Sequence, residues 1–311
     1  MSERKLIVFG TASQVPARSR NQGGYLLRFD NQGFMFDPGE GTQRQMIFAG
    51  SKVSEITKIF ITHFHGDHCL GLAGIIQRIS LDRVSHTIEV YYPSSGQKYY
   101  EHLRDSSLFY NTAQLQECPI ESPGVVFEDD TMIIEADRLD HDVETFGYRV
   151  REKDSYTLIP EKLRQAGIHG PEVRRLKSEG KVTVSGRTID IREVGEVLAG
   201  QSFAFVMDTR ECPGAYELAR GVDLLVCEAT YLNELKDLAQ EYGHLTAGQA
   251  GRIARDSGVK KLVLTHFSQR YASTEEAVNE AGLYHKGVVA AHDGEHISLP
   301  VRKRQVQPNC K

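Results

Sequence analysis

The sequence is poor in cysteine and has no long hydrophobic run, and each absence excludes a class of protein. Its five cysteines, Cys69, Cys118, Cys212, Cys227 and Cys310, are scattered and form no CxxC pair. This odd, unpaired set argues against a disulfide framework or a cysteine-rich zinc module and favours the reducing cytoplasm. No apolar segment approaches the roughly 18 residues of a membrane span, so we expect no membrane partner.

We also expect no secretory signal in the opening segment. The opening residues, MSERKLIVFGTAS, contain an apolar core that is too short for such a signal and lacks a convincing cleavage site. The same core predicts a first β-strand. With 40% hydrophobic and 25% charged residues in 311 positions, the composition is that of an ordinary globular chain that can bury a substantial core.

Acidic residues slightly outnumber basic ones over the whole chain, but one segment has an excess of positive charge. The formal net charge is −5, so the chain as a whole gives no indication of nucleic-acid binding. Between residues 161 and 187, however, seven lysines and arginines stand against three glutamates, a local net charge of +4. A local excess of this kind matters more than the global sum for attracting a polyanion.

Short apolar or alternating segments recur along the chain and predict β-strands. They are LIVFG, YLLRF, GFMFD, IFITH, TIEVYY, MIIEA, FGYRV, FAFVMD, DLLVCEA, KLVLTH and GVVAAHDG. Four other segments predict helices: TQRQMIFAG, GLAGIIQRISLD, TAGQAGRIARDSG and STEEAVNEA. Thr246 and Ser273 are expected as N-caps and Gly258 as a helix stop. Strands mixed with helices indicate a layered α/β domain, here extending over residues 1–311.

Residues 150–198 interrupt this pattern. The segment EKLRQAGIHGPEVRRLKSEGKVTVSGRTIDI is rich in glycine, basic residues and turn formers. Its apolar patterning is too weak to predict a core of its own, so we expect a long solvated loop or hairpin. Loops of this length are usually functional or disordered.

Residues 61–72, ITHFHGDHCLGL, contain three histidines and an aspartate within six positions, although the chain has only 12 histidines. A polar loop with a chance run of histidine is the alternative to a metal site. Zinc prefers imidazole and carboxylate ligands. His63 and His65 can share one metal from the end of a strand, whereas Asp67 and His68, beyond Gly66, are turned the other way. The arrangement suits two neighbouring metals better than one.

Two metals require further ligands, and three candidates follow predicted strands: His141, Asp208 and His266. Each alone would more often be a capping or solvated polar residue. The segment KIFITHF at 58–64 is echoed by KLVLTHF at 261–267. A duplicated ββα arrangement would bring both Thr-His-Phe ends to the same edge of the molecule.

The HFHGDH segment with its downstream histidines and aspartate resembles the metallo-β-lactamase superfamily over nearly the whole chain. This resemblance implies an αββα sandwich made of two ββα halves. It also implies seven ligands for two zinc ions: His63, His65 and His141 for one, Asp67, His68 and His266 for the other, and Asp208 as a bridge. Two zinc ions so held can activate a water near neutral pH and clamp the oxygens of a phosphodiester.

Four further segments resemble the ribonuclease Z family, whose members are tRNA 3′-processing endonucleases. PARSRN at 16–21 resembles the PxKxRN loop, with Arg18 in place of lysine, and CEAT at 227–230 resembles the HEAT loop with a leading cysteine. HLT at 244–246 is similar to the HST loop, and GPEVRRLKSEGKVTVSGRTI resembles the flexible tRNA-binding arm. The resemblance implies RNA contacts by Arg18, Arg20, Asn21, Arg174, Arg175 and Lys177.

The resemblance also implies a reaction. A zinc-dependent endoribonuclease would remove the 3′ trailer from precursor tRNA by cutting after the discriminator nucleotide, leaving a 3′-hydroxyl on the tRNA and a 5′-phosphate on the trailer. Asp67 would orient the attacking water, and His244, oriented by Glu228, would protonate the leaving oxygen. Asp37 and Glu40 in DPGEGTQ would orient the metal site or its loop.

Family members are homodimers in which one subunit's arm holds the tRNA that the other subunit cleaves, so a homodimer is implied. Water supplies the oxygen, so no nucleotide cofactor is needed. Two other interpretations stay open, a hydrolase of small substrates such as a phosphodiesterase and an RNA-binding protein on an inactive fold. The basic arm and PARSRN argue against the first, and the presence of all seven candidate ligands argues against the second.

Overall fold

The structure of the protein, a computed structural model, describes residues 4–301. These residues form two compact units. The larger comprises residues 4–128, Ile134–Val150 and Ser202–Pro300, and the smaller comprises Asp129–Ile133 and Arg151–Gln201. The four cysteines within the described range are free, whereas Cys310 lies outside it. No helix between residues 4 and 301 combines the length and apolar character needed to cross a bilayer.

Two seven-stranded mixed sheets organise the described part of the larger unit. The first has the order β18-β1-β2-β3-β4-β5-β6: β1 Lys5–Gly10, β2 Gly24–Phe29, β3 Gln32–Phe36, β4 Lys58–Phe60, β5 Ile88–Pro93, β6 Leu115–Ile120 and β18 His296–Ser298. The second has the order β17-β16-β15-β14-β9-β8-β7: β7 Gly124–Glu128, β8 Met132–Leu139, β9 Thr145–Glu152, β14 Ser202–Val206, β15 Leu224–Glu228, β16 Lys261–Thr265 and β17 Val288–Ala290.

Aromatic side chains hold the two sheets face to face. Successive side chains of a strand point to opposite faces, so Phe36 of β3 points to the second sheet while Met35 points away from it. The Phe36 ring stacks on Phe205 of β14 with centroids 4.9 Å apart, and Phe60 of β4 lies 5.0 Å from Tyr148 of β9. All of these rings are fully buried. The inter-sheet layer therefore forms a rigid base for the loops at the strand ends.

Helices cover the outer face of each sheet, which gives the αββα sandwich that the family resemblance implies. They are α1 Thr42–Phe48, α2 Gly66–Cys69, α3 Leu72–Leu81, α4 Gln97–Arg104, α8 Pro213–Ala219, α9 Lys236–Glu241, α10 Ala247–Asp256 and α11 Glu275–Gly282. Apolar faces of α1 and α3 share a core with the first sheet, and those of α8, α10 and α11 share one with the second.

The predicted helix caps agree with the structure except at the start of α11. Thr246 caps α10 in a capping box with Gln249, and Gly258 follows its last turn with φ +69°. The N-cap of α11 is Thr274, one residue beyond the expected Ser273. The Ser273 hydroxyl nevertheless accepts a hydrogen bond from the backbone N–H of Glu275 at 3.1 Å.

The smaller unit corrects the expectation of a coreless loop within residues 150–198. It contains β10 Ser155–Leu158, α5 Pro160–Gln165, α6 Pro171–Glu179, β11 Lys181–Val184, β12 Arg187–Asp190, α7 Ile191–Val194 and β13 Gly195–Leu198. Five buried apolar side chains form its core: Ile168, Leu176, Val182, Ile189 and Val194. Its apolar residues are few, but they converge because two antiparallel pairs, β10 with β13 and β11 with β12, bring distant segments together.

Candidate metal centre

Seven side chains expected as metal ligands converge in the larger unit, each just beyond the end of a strand. They are His63, His65, Asp67, His68, His141, Asp208 and His266. The first four follow β4, and the others follow β8, β14 and β16 respectively. Because β14, β15 and β16 run parallel, their carboxyl ends open on the same side of the sheet.

The short helix α2 turns the second pair of this cluster away from the first. It begins at Gly66, so Asp67 lies in its first turn, where a carboxylate is favoured. The DPGEG loop packs directly beneath it, since a Cβ on Gly39 would lie 2.2 Å from the Asp67 carbonyl oxygen. Only glycine permits this approach.

The first ligand group consists of three histidines and one carboxylate. His65 Nδ1 lies 3.0 Å from His63 Nε2 and 3.3 Å from His141 Nε2. Asp208 Oδ2 lies 3.6 Å from His63 Nε2 and 4.0 Å from His141 Nε2. Ligand atoms about 2.0–2.1 Å from one tetrahedral zinc ion lie about 3.3 Å apart. The group therefore fits one such ion with little movement.

The second group shares Asp208 with the first. His68 Nε2 and His266 Nε2 each lie 3.3 Å from Asp67 Oδ2. His68 Nε2 is also 3.2 Å from Asp208 Oδ2, and His266 Nε2 is 3.3 Å from Asp208 Oδ1. The two oxygens of Asp208 thus face both groups, which is the arrangement expected of a bridging carboxylate.

Two buried atoms of the second group have no hydrogen-bond partner among the described residues: His68 Nε2 and Asp208 Oδ1. Their close neighbours lack hydrogen-bond geometry, and an unsatisfied buried polar atom costs about 1–3 kcal/mol. Burial alone would lower the pKa of His68, but Asp208 and Asp67 outweigh it and raise that pKa well above its ordinary value. The location therefore favours a positive charge, and a cation bound there would satisfy both orphaned atoms.

The protonation states of the other ligands also suit a metal. Burial and neighbouring histidines hold the pKa of His63 well below its ordinary value, and burial together with His141 lowers the pKa of His65. Burial alone would raise the pKa of Asp67 and of Asp208, but adjacent histidines outweigh it and lower both. Neutral imidazoles and ionised carboxylates are the forms that bind metal.

Four of these histidines are held through Nδ1, which leaves Nε2 for a ligand role. The contacts are His63 with Thr62 Oγ1 at 3.0 Å, His68 with Asp37 Oδ2 at 2.9 Å, His141 with Gly243 O at 2.9 Å, and His266 with Thr230 Oγ1 at 2.9 Å. Gly243 has φ +70°, and a Cβ there would lie 2.5 Å from His141 Nδ1. Its carbonyl can therefore reach the imidazole only because the residue is glycine.

Asp37 orients the site as expected from the sequence, whereas Glu40 does not contact it. The buried Asp37 carboxylate accepts hydrogen bonds from Thr62 N and Thr62 Oγ1, each at 2.7 Å, as well as from His68 Nδ1. Glu40 is exposed, and its backbone alone bonds to Gln22 and Asn21. The Glu40 side chain therefore does not orient the site, whereas its backbone ties the DPGEG loop to Gln22 and Asn21.

Backbone strain is concentrated at the site. Asp37, Asp208 and His266 have φ values of 42°, 51° and 60°. This left-handed conformation costs roughly 1–3 kcal/mol per non-glycine residue and persists where the surroundings enforce it. Here it directs one side chain that orients a ligand and two that belong to the ligand groups.

A third cluster adjoins the ligands and contains the expected general acid. His244 Nδ1 lies 3.1 Å from Glu228 Oε1, and the fully buried Glu228 also accepts from Thr209 N at 2.7 Å and Thr230 Oγ1 at 2.6 Å. Because the Thr230 hydroxyl donates to Glu228, it accepts from His266 Nδ1. One carboxylate thereby fixes both His244 and, through Thr230, the expected metal ligand His266.

These clusters open into a cavity of about 560 Å³. Asp67, His244 and His266 contribute to its wall, and Arg270 brings a guanidinium whose carbon lies 5.1 Å from the centre of the Tyr231 ring. A cavity with a cation and an aromatic ring beside ionised ligands suits a phosphodiester. Sequence reasoning missed the roles of Thr62, Thr230 and Arg270, although the two threonines lie within two residues of predicted site residues.

The residues expected to contact RNA occupy different environments. Arg18 is exposed, whereas Arg20 is buried, donates to the Tyr271 carbonyl oxygen and lies over the Phe267 ring. Asn21 Nδ2 donates to the Gln22 and Glu40 carbonyl oxygens. The basic residues of α6 are exposed: Arg174, Arg175 and Lys177. Their contacts with RNA stay a prediction, as does the role of the smaller unit as a tRNA-binding arm.

Comparison with known families supports the fold. A model described as "Metallo-beta-lactamase superfamily" matches residues 24–150, and one described as "Beta-lactamase superfamily domain" matches residues 192–267. The first region contains five of the seven side chains of the two ligand groups, and the second contains the other two, Asp208 and His266. The whole predicted ligand set therefore lies within the matched regions.

Comparison with individual proteins narrows the superfamily to one family. The chain is 55% identical over 305 residues to "Ribonuclease Z" of Nocardia farcinica, which covers 97% of this chain and all of that protein. It is 51% identical to "Ribonuclease Z" of Streptomyces avermitilis with the same coverage. Among solved structures, human tRNase Z, short form, has a TM-score of 0.67 and 27% identity, covering 96% of this chain and all of the human chain.

Proposed function

The chain belongs to the ribonuclease Z family, and from that premise we propose that it removes the 3′ trailer of precursor tRNA by a zinc-dependent cut after the discriminator nucleotide. At the coarser level it is a metal-dependent endoribonuclease that processes the 3′ end of tRNA. Beyond that level, we propose the identity of the metal, the roles of individual residues, tRNA binding by the smaller unit, and a homodimer.

Two zinc ions per subunit suit the donor set. The first group offers His63, His65 and His141, and the second offers Asp67, His68 and His266, with Asp208 shared. Spacings of 3.0–4.0 Å between their ligand atoms support this assignment. When bound, the ions would supply an activated water at neutral pH and charge stabilisation for the phosphate oxygens.

Proton transfer falls to two groups of the protein. The Asp67 carboxylate orients the attacking water and accepts its proton. His244 donates a proton to the leaving 3′-oxygen. Its Nδ1 is engaged by Glu228, so Nε2 is the donating atom. Transfer at these two atoms completes the cleavage without a nucleotide cofactor.

The smaller unit is proposed as the tRNA-binding arm. It has a core of its own and exposes Arg174, Arg175 and Lys177 on α6. Lysine and arginine side chains neutralise phosphates without reading sequence, which suits recognition of the common tRNA shape. We assign Arg18 of the PARSRN loop to a further phosphate contact because it is exposed.

A homodimer is supported by an exposed apolar patch on the larger unit. The side chains of Ile47, Phe48, Leu81, Leu108 and Tyr110 are more than half exposed. Gln43 and Arg78 line two adjoining grooves that connect α1, α3 and Tyr110. Ile47, Leu81 and Tyr110 lie in these grooves, and exposed apolar surface of this kind is typical of an association site. The free cysteines support a reducing, cytoplasmic location.

The observation that carries the proposal is the placement of His244 and Glu228 beside two ligand groups that share Asp208. The test compares chelated and zinc-loaded protein on a precursor tRNA and on bis(p-nitrophenyl) phosphate, with His63→Ala as the control for the metal. Zinc-dependent loss of the trailer is expected. Rapid hydrolysis of the small diester with an intact precursor would instead indicate a small-substrate phosphodiesterase.

A further inference from the structure

The carboxylate of Asp293, in the turn before β18, holds both ends of the PARSRN-containing loop at residues 11–21. Asp293 Oδ1 accepts a hydrogen bond from Thr11 Oγ1 at 2.8 Å, and Oδ2 accepts one from Asn21 N at 2.6 Å. Thr11 and Asn21 are the first and last residues of that loop. One side chain therefore fixes the span of the loop that carries Arg18.

The same loop is tied to the strand end that carries His266. Phe267 N donates to Thr11 O at 2.8 Å, and Ser13 N donates to Phe267 O at 3.1 Å. The buried guanidinium of Arg20 donates to the Tyr271 carbonyl oxygen and lies 5.8 Å from the Phe267 ring centre. The negative charge of Asp293 also acts on Arg20. Loop 11–21 and residues 267–271 are therefore held as one assembly.

Both parts of this assembly reach the cavity. Ser13 and Gln14 line it from the loop, and Arg270 lines it from the segment after His266. Asp293 itself is not among the residues that line it. A change at Asp293 would therefore act on substrate only by displacing the groups that it holds.

The geometry points to Asp293 as a positioning residue for precursor binding, which acts by holding loop 11–21, the loop that lines the cavity with Ser13 and Gln14 and carries the exposed Arg18. Arg20, expected from the sequence to contact RNA, belongs to the same internal support. This inference rests on the proposed function, since it concerns how the precursor is bound.

The test is Asp293→Asn in the full-length, zinc-loaded protein, with Glu295→Gln as the matched control. Glu295 lies in the same turn, but its carboxylate bonds to His292 N and not to the loop. We expect KM for the precursor to rise about tenfold in Asp293→Asn with little change in kcat, because the substitution weakens binding and leaves the chemical step intact. The kcat/KM for bis(p-nitrophenyl) phosphate should fall far less, and Glu295→Gln should match the parent protein.

If Asp293→Asn does not fold, Thr11→Val provides a second test. It removes only the hydrogen bond from Thr11 Oγ1 to Asp293 Oδ1, and KM for the precursor should again rise. Parallel losses on the two substrates, or a KM equal to that of Glu295→Gln, would overturn the assignment. Cleavage of the precursor by the parent protein is measured first. Its failure would refute the proposed function, whereas a failed KM shift would refute only the role of Asp293.

Discussion

Glu228 Oε1 lies 3.1 Å from His244 Nδ1, so a fully buried carboxylate holds the imidazole assigned as the general acid. Burial alone would lower the pKa of His244, but Glu228 and Asp208 outweigh it and raise that pKa to about 9. The protonated form is therefore present at neutral pH and is lost as the pH rises through about 9. A general acid must be protonated to act, so activity should fall along this alkaline limb.

Glu228→Gln should move the alkaline limb of the kcat profile to lower pH. The substitution removes one of the two carboxylates that raise the pKa of His244 and leaves the opposing effect of burial. The measurement is kcat for the precursor across the pH range, with metal content determined for each preparation. A limb that stays in place would show that another group limits the reaction.

His244→Ala should lower kcat for the precursor by about 10²–10⁴-fold, the usual contribution of a positioned acid. Metal content should not change, because His244 is absent from both proposed ligand groups. Turnover and bound zinc are measured on the same preparation. An unchanged rate would refute the assignment of His244, and loss of zinc would make it a ligand.

Asp37→Ala should weaken zinc affinity by about 10–100-fold, which is typical when a partner of a metal-binding histidine is removed. Glu40→Ala is the control from the same loop, since Glu40 is exposed and contacts its neighbours through its backbone. Competition with a chromophoric chelator gives both affinities. Equal affinities in the two variants would contradict the role of Asp37.

His63→Ala and Asp67→Ala should lose both metal and cleavage.

Removing the charges of Arg174, Arg175 and Lys177 together should weaken precursor binding and flatten its salt dependence. The slope of log affinity against log salt should fall by about one for each phosphate that these side chains no longer neutralise. Arg192→Ala is the control in the same unit, because Arg192 is paired with Asp190 at 2.7 Å. Filter binding at several salt concentrations measures the slopes. Identical slopes in all proteins would place the RNA elsewhere.

A mixed dimer tests whether the arm works across subunits. One subunit lacks residues 159–194, which can be replaced by Asn-Gly because Leu158 and Gly195 are paired neighbours. The other subunit carries His63→Ala. Neither homodimer should cleave the precursor, but the mixed dimer should, since an intact arm then faces an intact site. An inactive mixed dimer, shown by sedimentation to be dimeric, would contradict action across subunits.

Much of the fold follows from local sequence signals. Each of the eleven apolar segments forms a strand, and β3 shows why such strands are apolar on both faces: Phe36 and Met35 point to opposite faces, and both are fully buried. Three strands of the larger unit, β6, β7 and β18, are not predicted by such segments. β7 is largely exposed, and β18 is three residues long, so neither carries a clear burial pattern. These strands form because their backbones pair with neighbouring strands of the sheets.

The convergence of the candidate ligands could be predicted from residue types, spacing and the family resemblance, whereas the residues that hold those side chains in place could not. Nothing in the sequence identifies Gly243 O as the acceptor for His141 or Asp293 as the acceptor for Thr11 and Asn21. These contacts join residues up to 282 positions apart. Arg20 illustrates the converse, because its charge suggests RNA contact while its burial gives it a structural role.

The most direct test of the central claim is the position and chemistry of the cut. A precursor tRNA labelled at its 5′ end is incubated with the zinc-loaded protein, and the product is compared with a sequence ladder before and after treatment with an enzyme that removes a 3′-phosphate. We predict one product that ends at the discriminator with a free 3′-hydroxyl and is absent after chelation. Scattered cuts, or a product ending in a 3′-phosphate, would contradict the account.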